Sequence, residues 1–531
     1  MTIFRRMILG TASLGLLAAC ATTETPKYDI SWPDGAEASA ARFEKDLTTL
    51  ADDSYEGREA GTPGYDKAVD YVTAAYEEIG LKPAGVDGYL QQVPLRRKTA
   101  VPEAAALEIN GDNLTLFADH VVGAATYSES FDVTAEVVFM GYGIDAPMFG
   151  QVAYDELNVT GKIVAVLSGA PDDLPSEERA HFQSSSSKRL AAKEHGAVGY
   201  VTLNPTGGAT AAQLERFAQR ASDVVVHPGG MNREIAAGAY LTQAGTEKLA
   251  EAAGMVAADF VDAAHEPLGV TMRIAGESAW DDYISPNVVG MIEGSDPELK
   301  DEYVILTAHL DHIGKLRVIE EEPDRDIINN GAMDNAAGIS TLLEEARKFS
   351  AGEAPRRSIL FLALTAEEKG LLGSEYFARN PTVPADSMIA NVNLDMPILL
   401  HEFTDVIAFG AEHSSLKETT EAAGATMGVT MSPDPVPQMV LFVRSDHYNF
   451  VKQGVPSVFL VLGFGNGGEE SFQNFLGTHY HRPSDQRDLP IMYDQAARFA
   501  ELNYRIAKEI ANQDERPTWN EDSFFGQRFG K

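Results

Sequence analysis

The sequence predicts an α/β fold, a mainly parallel buried sheet interrupted by a β-rich insert. Three observations predict it. From Ser285 onward, four short apolar runs (Val304–Thr307, Ile359–Leu364, Ile389–Leu394 and Val458–Leu462) recur, several of them separated by helical stretches. These runs are continuously apolar and partly β-branched, which suits strands covered on both faces. Between Leu107 and about Ala275 the pattern changes to short β-rich runs with one helix near Ser187–His195.

Taken in order, the first residues read as an address. Arg5 and Arg6 supply positive charge, and Met7 to Ala19 is apolar but too short to span a bilayer as a stable helix. Leu17-Ala18-Ala19-Cys20 resembles a bacterial lipoprotein signal. That resemblance implies removal of residues 1–19, a lipid on Cys20, and a place in the cell envelope, on the periplasmic face of a Gram-negative outer membrane. An ordinary signal peptide is the competing reading. Cys20 is the one cysteine in the chain, so no internal disulfide is possible and the single thiol stands where a lipid would go.

Residues 20–36 read as a tether, and residues 37–106 as the first segment of the main domain. In that segment Glu37–Leu50 has helical periodicity, Gly57–Gly64 reads as a loop, and Tyr65–Ile79 is a helix stopped by Gly80. Residues 107–275 form the insert, with strands at Thr134–Met140, Lys162–Leu167 and Val198–Leu203. Residues 276–512 complete the main domain, and residues 513–531 are a polar tail with Trp519, Phe524 and Phe525 as docking points. A net charge of −37 argues against nucleic-acid binding, which needs a basic face. A solvated acidic surface accounts for most of that charge; some of it would concentrate cationic substrates.

Five polar clusters lie at or between the ends of the later strands. They are His309-Leu310-Asp311-His312, Gly331 to Gly338 with Asp334 and Asn335, Glu367-Glu368, Asp395, and His479-Tyr480-His481-Arg482-Pro483-Ser484-Asp485. Open α/β sheets bind ligands outside the carboxyl ends of their strands, and three of the clusters hold that position. Imidazole and carboxylate together suit zinc, and also manganese or cobalt; the lack of Cys ligands favours a catalytic over a structural site. Singly each cluster has an ordinary explanation: Asp334 as a helix N-cap, Glu367-Glu368 as a solvated pair, the late His as loop structure.

Together, in this order, the clusters resemble metallopeptidase family 28. Tyr55-Glu56-Gly57-Arg58-Glu59-Ala60-Gly61-Thr62 is similar to its N-terminal loop, and Arg444-Ser445-Asp446-His447-Tyr448 to a further segment of it. Gly161 to Val166 followed by Lys188 to Ala197 resembles the protease-associated domain, a non-catalytic insert of several peptidase families.

The resemblance implies two zinc ions: His309 and Asp395 on one, Glu368 and His481 on the other, Asp334 bridging both. It makes Glu367 the general base for a water between the ions, and puts Asp311 behind His309 to orient it. Tyr480 is placed to donate to the developing oxyanion, with simple packing as the alternative. His312, His447 and His479 fall outside the ligand set and read as supporting or structural. The implied activity is an aminopeptidase acting on peptides with a free N-terminus. A carboxypeptidase or dipeptidase of the same family is the nearer alternative, and a non-catalytic receptor-like binding protein the more distant one.

Overall fold

The structure is a computed structural model that describes residues 35–125, 127–207, 224–226, 235–316 and 324–530. The apolar leader, Cys20 and the tether up to residue 34 lie outside the described residues. Among the described residues no helix is long and apolar enough to cross a membrane.

The fold is mixed α/β, built on a large, mainly parallel sheet. Four parallel strands form its centre in the order Ser358–Leu364, Tyr303–His309, Met388–Leu394 and Ser457–Leu462. Antiparallel strands flank them, Glu266–Ile292 on one side and Asp405–Phe409 on the other. The central strands are apolar throughout because both faces are covered. Val304, Leu306, Phe361 and Ala363 enter one core with Phe43, Leu342, Leu343 and Ile506 from three helices. The alternate residues Ile305, Leu360, Leu362 and Leu364 enter a second core with Phe377 and Phe450. Successive strand side chains point to opposite faces, so one apolar run supplies both cores.

The helices carry their own start and stop signals. Pro63–Ile79 begins two residues before the predicted Tyr65, because Thr62 caps the amide of Tyr65 and Pro63 occupies the first turn, where its missing N–H costs nothing. Gly80 ends it in the left-handed region, φ 86°.

A second sheet is made from residues in the 106–275 range. Ser130–Phe139, Ile163–Leu167, Gly199–Leu203 and Ala237–Leu241 lie parallel in that order, with Ala106–Ile109 antiparallel to the long strand. Position 275 is not a chain break in the fold: the 27-residue strand Glu266–Ile292 runs straight through it. Its first part pairs with Ser130–Phe139, its middle with Leu90–Ala100, and its end with Ser358–Leu364. The two sheets are thus joined by a ribbon of Leu90–Ala100 and the long strand, with Val224–Val226 added beside Arg96–Lys98. The tail residues Phe524 and Phe525 are buried in an aromatic cluster with Phe182 of the second sheet's unit and Phe442 and Phe459 of the first.

Candidate metal centre

The carboxyl ends of the central strands converge as the open-sheet rule requires. His309 is the last residue of Tyr303–His309, the Glu367-Glu368 turn follows Ser358–Leu364, and Asp395 follows Met388–Leu394. Asp334 precedes the helix Ala337–Ala351 in a short distorted turn whose φ and ψ are not helical, so it is not a simple N-cap. His481 comes from a late loop with its φ at +55°.

Asp334 stands between two groups of donor atoms. On one side, His309 Nε2 lies 3.4 Å from Asp334 Oδ1 and 3.1 Å from Asp395 Oδ1. On the other, His481 Nε2 lies 3.2 Å from Asp334 Oδ2 and 3.1 Å from Glu368 Oε2. Each oxygen of Asp334 therefore serves a different group. His312 joins the second group more closely than expected, its Nδ1 3.9 Å from Asp334 Oδ2 and 2.7 Å from Glu368 Oε1. The 2.7 Å approach is proximity without hydrogen-bond geometry, for both ring nitrogens of His312 and Glu368 Oε1 are buried with no hydrogen-bond partner. Buried polar atoms left unpaired around a shared carboxylate are what a cation would satisfy, so the donor set fits a metal.

The supporting contacts hold each donor in place. His309 Nδ1 faces the main-chain oxygen of Asp311 at 3.1 Å, which leaves Nε2 free to ligate if Nδ1 carries the proton. The Asp311 carboxylate is 4.0 Å from that nitrogen and instead accepts the amides of Glu367 at 3.0 Å and Glu368 at 3.4 Å. Sequence reasoning gave Asp311 the role of orienting His309; the contact in the structure comes from its main-chain oxygen. Thr307, Asn393 and Ser445 form a hydrogen-bonded line ending on Asp395 Oδ2, with links of 2.6, 2.7 and 2.6 Å. Asp485 accepts the amides of Met333 at 2.9 Å and Asp334 at 3.1 Å. Ser445 and Asp485 were visible in the motifs but carried no assigned role.

Glu367 and Glu368 lie in the turn beyond the strand Ser358–Leu364. Ala366 at φ 52° turns the chain, so the two carboxylates diverge around a bend. Glu367 faces His309 and Asp395, and Glu368 faces His481, His312 and Asp334. Among the protein's own groups, burial and then the carboxylates of Asp395, Glu368 and Asp446 push the Glu367 carboxyl well up, against the pull of His309. Burial opposes charge on His481 as well, but Asp334 and Glu368 outweigh it and raise its imidazole to about 10.

A cavity of about 280 Å³ opens onto His309, Asp334, Glu367 and Asp395. Its walls are largely apolar, with Ile398, Met439, Leu441, Val461, Phe472 and Leu476. Tyr480 lines it too, stacked on the His481 ring at 3.9 Å with its hydroxyl 3.5 Å from Arg444 Nη2. His479 is half-buried and bonds the main-chain oxygen of Ser484, and His447 is buried among Phe442 and Phe459; neither reaches the donors.

Comparison with known proteins bears on this centre. A probable glutamate carboxypeptidase, AMP1, of Arabidopsis thaliana is 31% identical over 189 residues, 33% of this chain and 24% of its own length. A probable zinc metalloprotease of Pyrenophora teres f. teres is 34% identical over 109 residues, 20% of this chain and 22% of its own length. The chain thus spans about a quarter of the length of the curated relatives it matches. Among solved structures, an aminopeptidase from Aneurinibacillus sp. strain AM-1 shares the fold, with a TM-score of 0.50 and 20% identity over 91% of this chain and 96% of that one. Residues 287–507, which carry every donor described above, match the model of peptidase family M28.

Proposed function

We propose that this chain is a zinc metallopeptidase holding two zinc ions and removing residues from the free N-terminus of peptides. The observation that carries the reading is Asp334, with one oxygen turned to each of two donor groups beside Glu367 on the floor of an apolar cavity. His309 and Asp395 would hold one ion, Glu368 and His481 the other, and Asp334 both. Zinc bound there supplies Lewis acidity and acidifies water. Glu367 is the residue that takes a proton and returns it to the leaving amine, and Tyr480 donates to the oxygen on which charge develops. The cavity's apolar wall favours an apolar N-terminal side chain.

The same reading makes the second sheet a protease-associated domain, supported by the strand Ile163–Leu167 and the helix Ser185–Glu194 that carry the resembling stretches. It also keeps the chain secreted and lipid-anchored at Cys20, supported by Leu17-Ala18-Ala19-Cys20 alone.

A second reading has one specific observation in its favour. Arg444 is exposed at the cavity beside Tyr480, where a guanidinium would meet a terminal carboxylate of a dipeptide or a carboxypeptidase substrate. Metal analysis with parallel turnover of aminoacyl p-nitroanilides, N-acetylated peptides and free dipeptides separates these cases. Cleavage of N-acetylated peptides in preference to free ones would overturn the aminopeptidase reading. Zinc binding with no turnover of any of them would leave a binding protein.

A further inference from the structure

The loop Tyr55–Thr62 takes no part in the chemistry above, yet it contains one of the largest fully buried side chains, Arg58, 1% exposed. Its guanidinium donates four hydrogen bonds, all to main-chain oxygens. Nε reaches Leu310 at 3.0 Å, Nη1 reaches Leu50 at 2.6 Å and Asn330 at 2.7 Å, and Nη2 reaches Gly331 at 3.0 Å. Leu310 directly follows His309, and Gly331 stands three residues before Asp334. The loop's backbone joins the same two segments. Arg58 O accepts from His312 N at 3.2 Å, and Gly57 O accepts from Gly314 N at 3.1 Å. Gly57, at φ 71°, lies so close that a Cβ would sit 2.5 Å from Asn329 O and 2.7 Å from Gly314 O.

A buried guanidinium whose hydrogen bonds all go to neutral carbonyls keeps its full charge. That charge faces four carboxylates: the donors Asp334 and Glu368, and Asp485 and Asp311, which accept the amides that brace them. A planar fork can span separate loops at fixed angles; an ammonium cannot.

We propose that Arg58 is a positioning residue for the metal centre. It sets the spacing between the segment after His309 and the segment before Asp334, and holds a fixed positive charge behind the shared carboxylates. The inference rests on the reading that these donors bind zinc.

The test compares zinc affinity, by competition with a chelator, in the wild type, Arg58→Lys and Arg357→Lys, together with melting temperature in chelator and in zinc. Arg357 is an equally buried guanidinium at the opposite end of the strand Ser358–Leu364, bonded to Glu302 and to main-chain oxygens of the tail. Arg58→Lys is expected to weaken zinc binding at least about ten-fold, the lower end for groups that orient ligands, and to show a smaller zinc-induced rise in melting temperature than the wild type. Arg357→Lys is expected to lower the melting temperature in chelator and leave zinc affinity unchanged.

Wild-type zinc affinity in Arg58→Lys, or an equal loss in Arg357→Lys, overturns the proposal. A wild type that binds no zinc overturns the metal reading itself, and this inference with it. Hydrogen exchange on the wild type tests the same coupling without a variant. Linkage requires that zinc protect amides of residues 57–61 along with those near 310–314 and 329–333. No zinc-dependent protection at residues 57–61 overturns the proposal even if Arg58→Lys fails to fold.

Discussion

His309 and Asp311 are linked through the main chain: His309 Nδ1 meets the carbonyl oxygen of Asp311 at 3.1 Å, while the Asp311 carboxylate accepts the Glu367 amide at 3.0 Å. One residue thereby sets the ring of a metal-donor histidine and the turn that carries both glutamates. Asp311→Asn keeps the carbonyl contact and removes the charge. Activity should fall by about 10- to 100-fold, the usual cost of disturbing a residue that orients a site, with zinc content unchanged. Loss of zinc instead, measured by metal analysis of the dialysed variant, would mean that the carboxylate acts on His309 directly.

Glu367 and Glu368 are neighbours with separate surroundings, so their amides should fail differently. On the proposed two-zinc reading, Glu367→Gln cannot accept a proton, and kcat should drop by about 10²- to 10⁴-fold with metal content unchanged. Glu368→Gln should lose zinc from the His481 side and recover part of its activity in added zinc. Kinetics and metal stoichiometry on both proteins check this, and exchanged behaviour would reverse the two roles.

The apolar wall predicts selectivity. Met439 is half-buried at the cavity, so Met439→Glu should be tolerated by the fold while placing a carboxylate on that wall. Burying a polar group typically costs about 1–3 kcal/mol, so kcat/KM for leucyl p-nitroanilide should fall about ten-fold or more. The lysyl substrate should lose less or gain. Equal loss for both substrates would remove this wall from side-chain recognition.

A pH effect on stability is expected at the contact between the two units. His413 Nε2 lies 2.6 Å from Glu177 Oε2 on the helix Ser176–Gln183. Burial disfavours the charged imidazole, but the adjacent Glu177 carboxylate and the nearby Glu178 and Glu412 outweigh it and raise its pKa. A raised folded-state pKa gives stability that is fully present below the unfolded value of about 6.5 and is lost as pH rises through the folded value. His413→Gln should therefore lower the melting temperature more at pH 6 than at pH 9, by thermal melts of both proteins. An equal difference at the two pH values would remove the ion pair from the account.

The fold class followed from local pattern. Apolar runs such as Ile359–Leu364 are long enough for a strand, too short for a helix, and apolar on both alternating faces; burial on both sides is the arrangement that uses them. Thr62, Pro63 and Gly80 likewise act on their own neighbours, so the helix between them was legible within two residues. The residues of the centre were legible as types at strand ends.

What the chain alone did not reveal is what depends on the local path of the backbone and on distant segments meeting. Nothing local marks Glu266–Ile292 as one strand serving two sheets, because its partners lie up to 209 residues away in sequence, Lys82 opposite Met291. Nothing local shows that Ala366 turns the two glutamates apart, that His312 stands against Glu368, or that the carbonyl of Asp311 holds His309. Residue types and periodicity are properties of short stretches, and the sequence by itself determined the fold class and which chemistry was on hand. Distances, orientations and charge compensation are set by packing between segments hundreds of residues apart, and only the tertiary structure decided which atoms face one another.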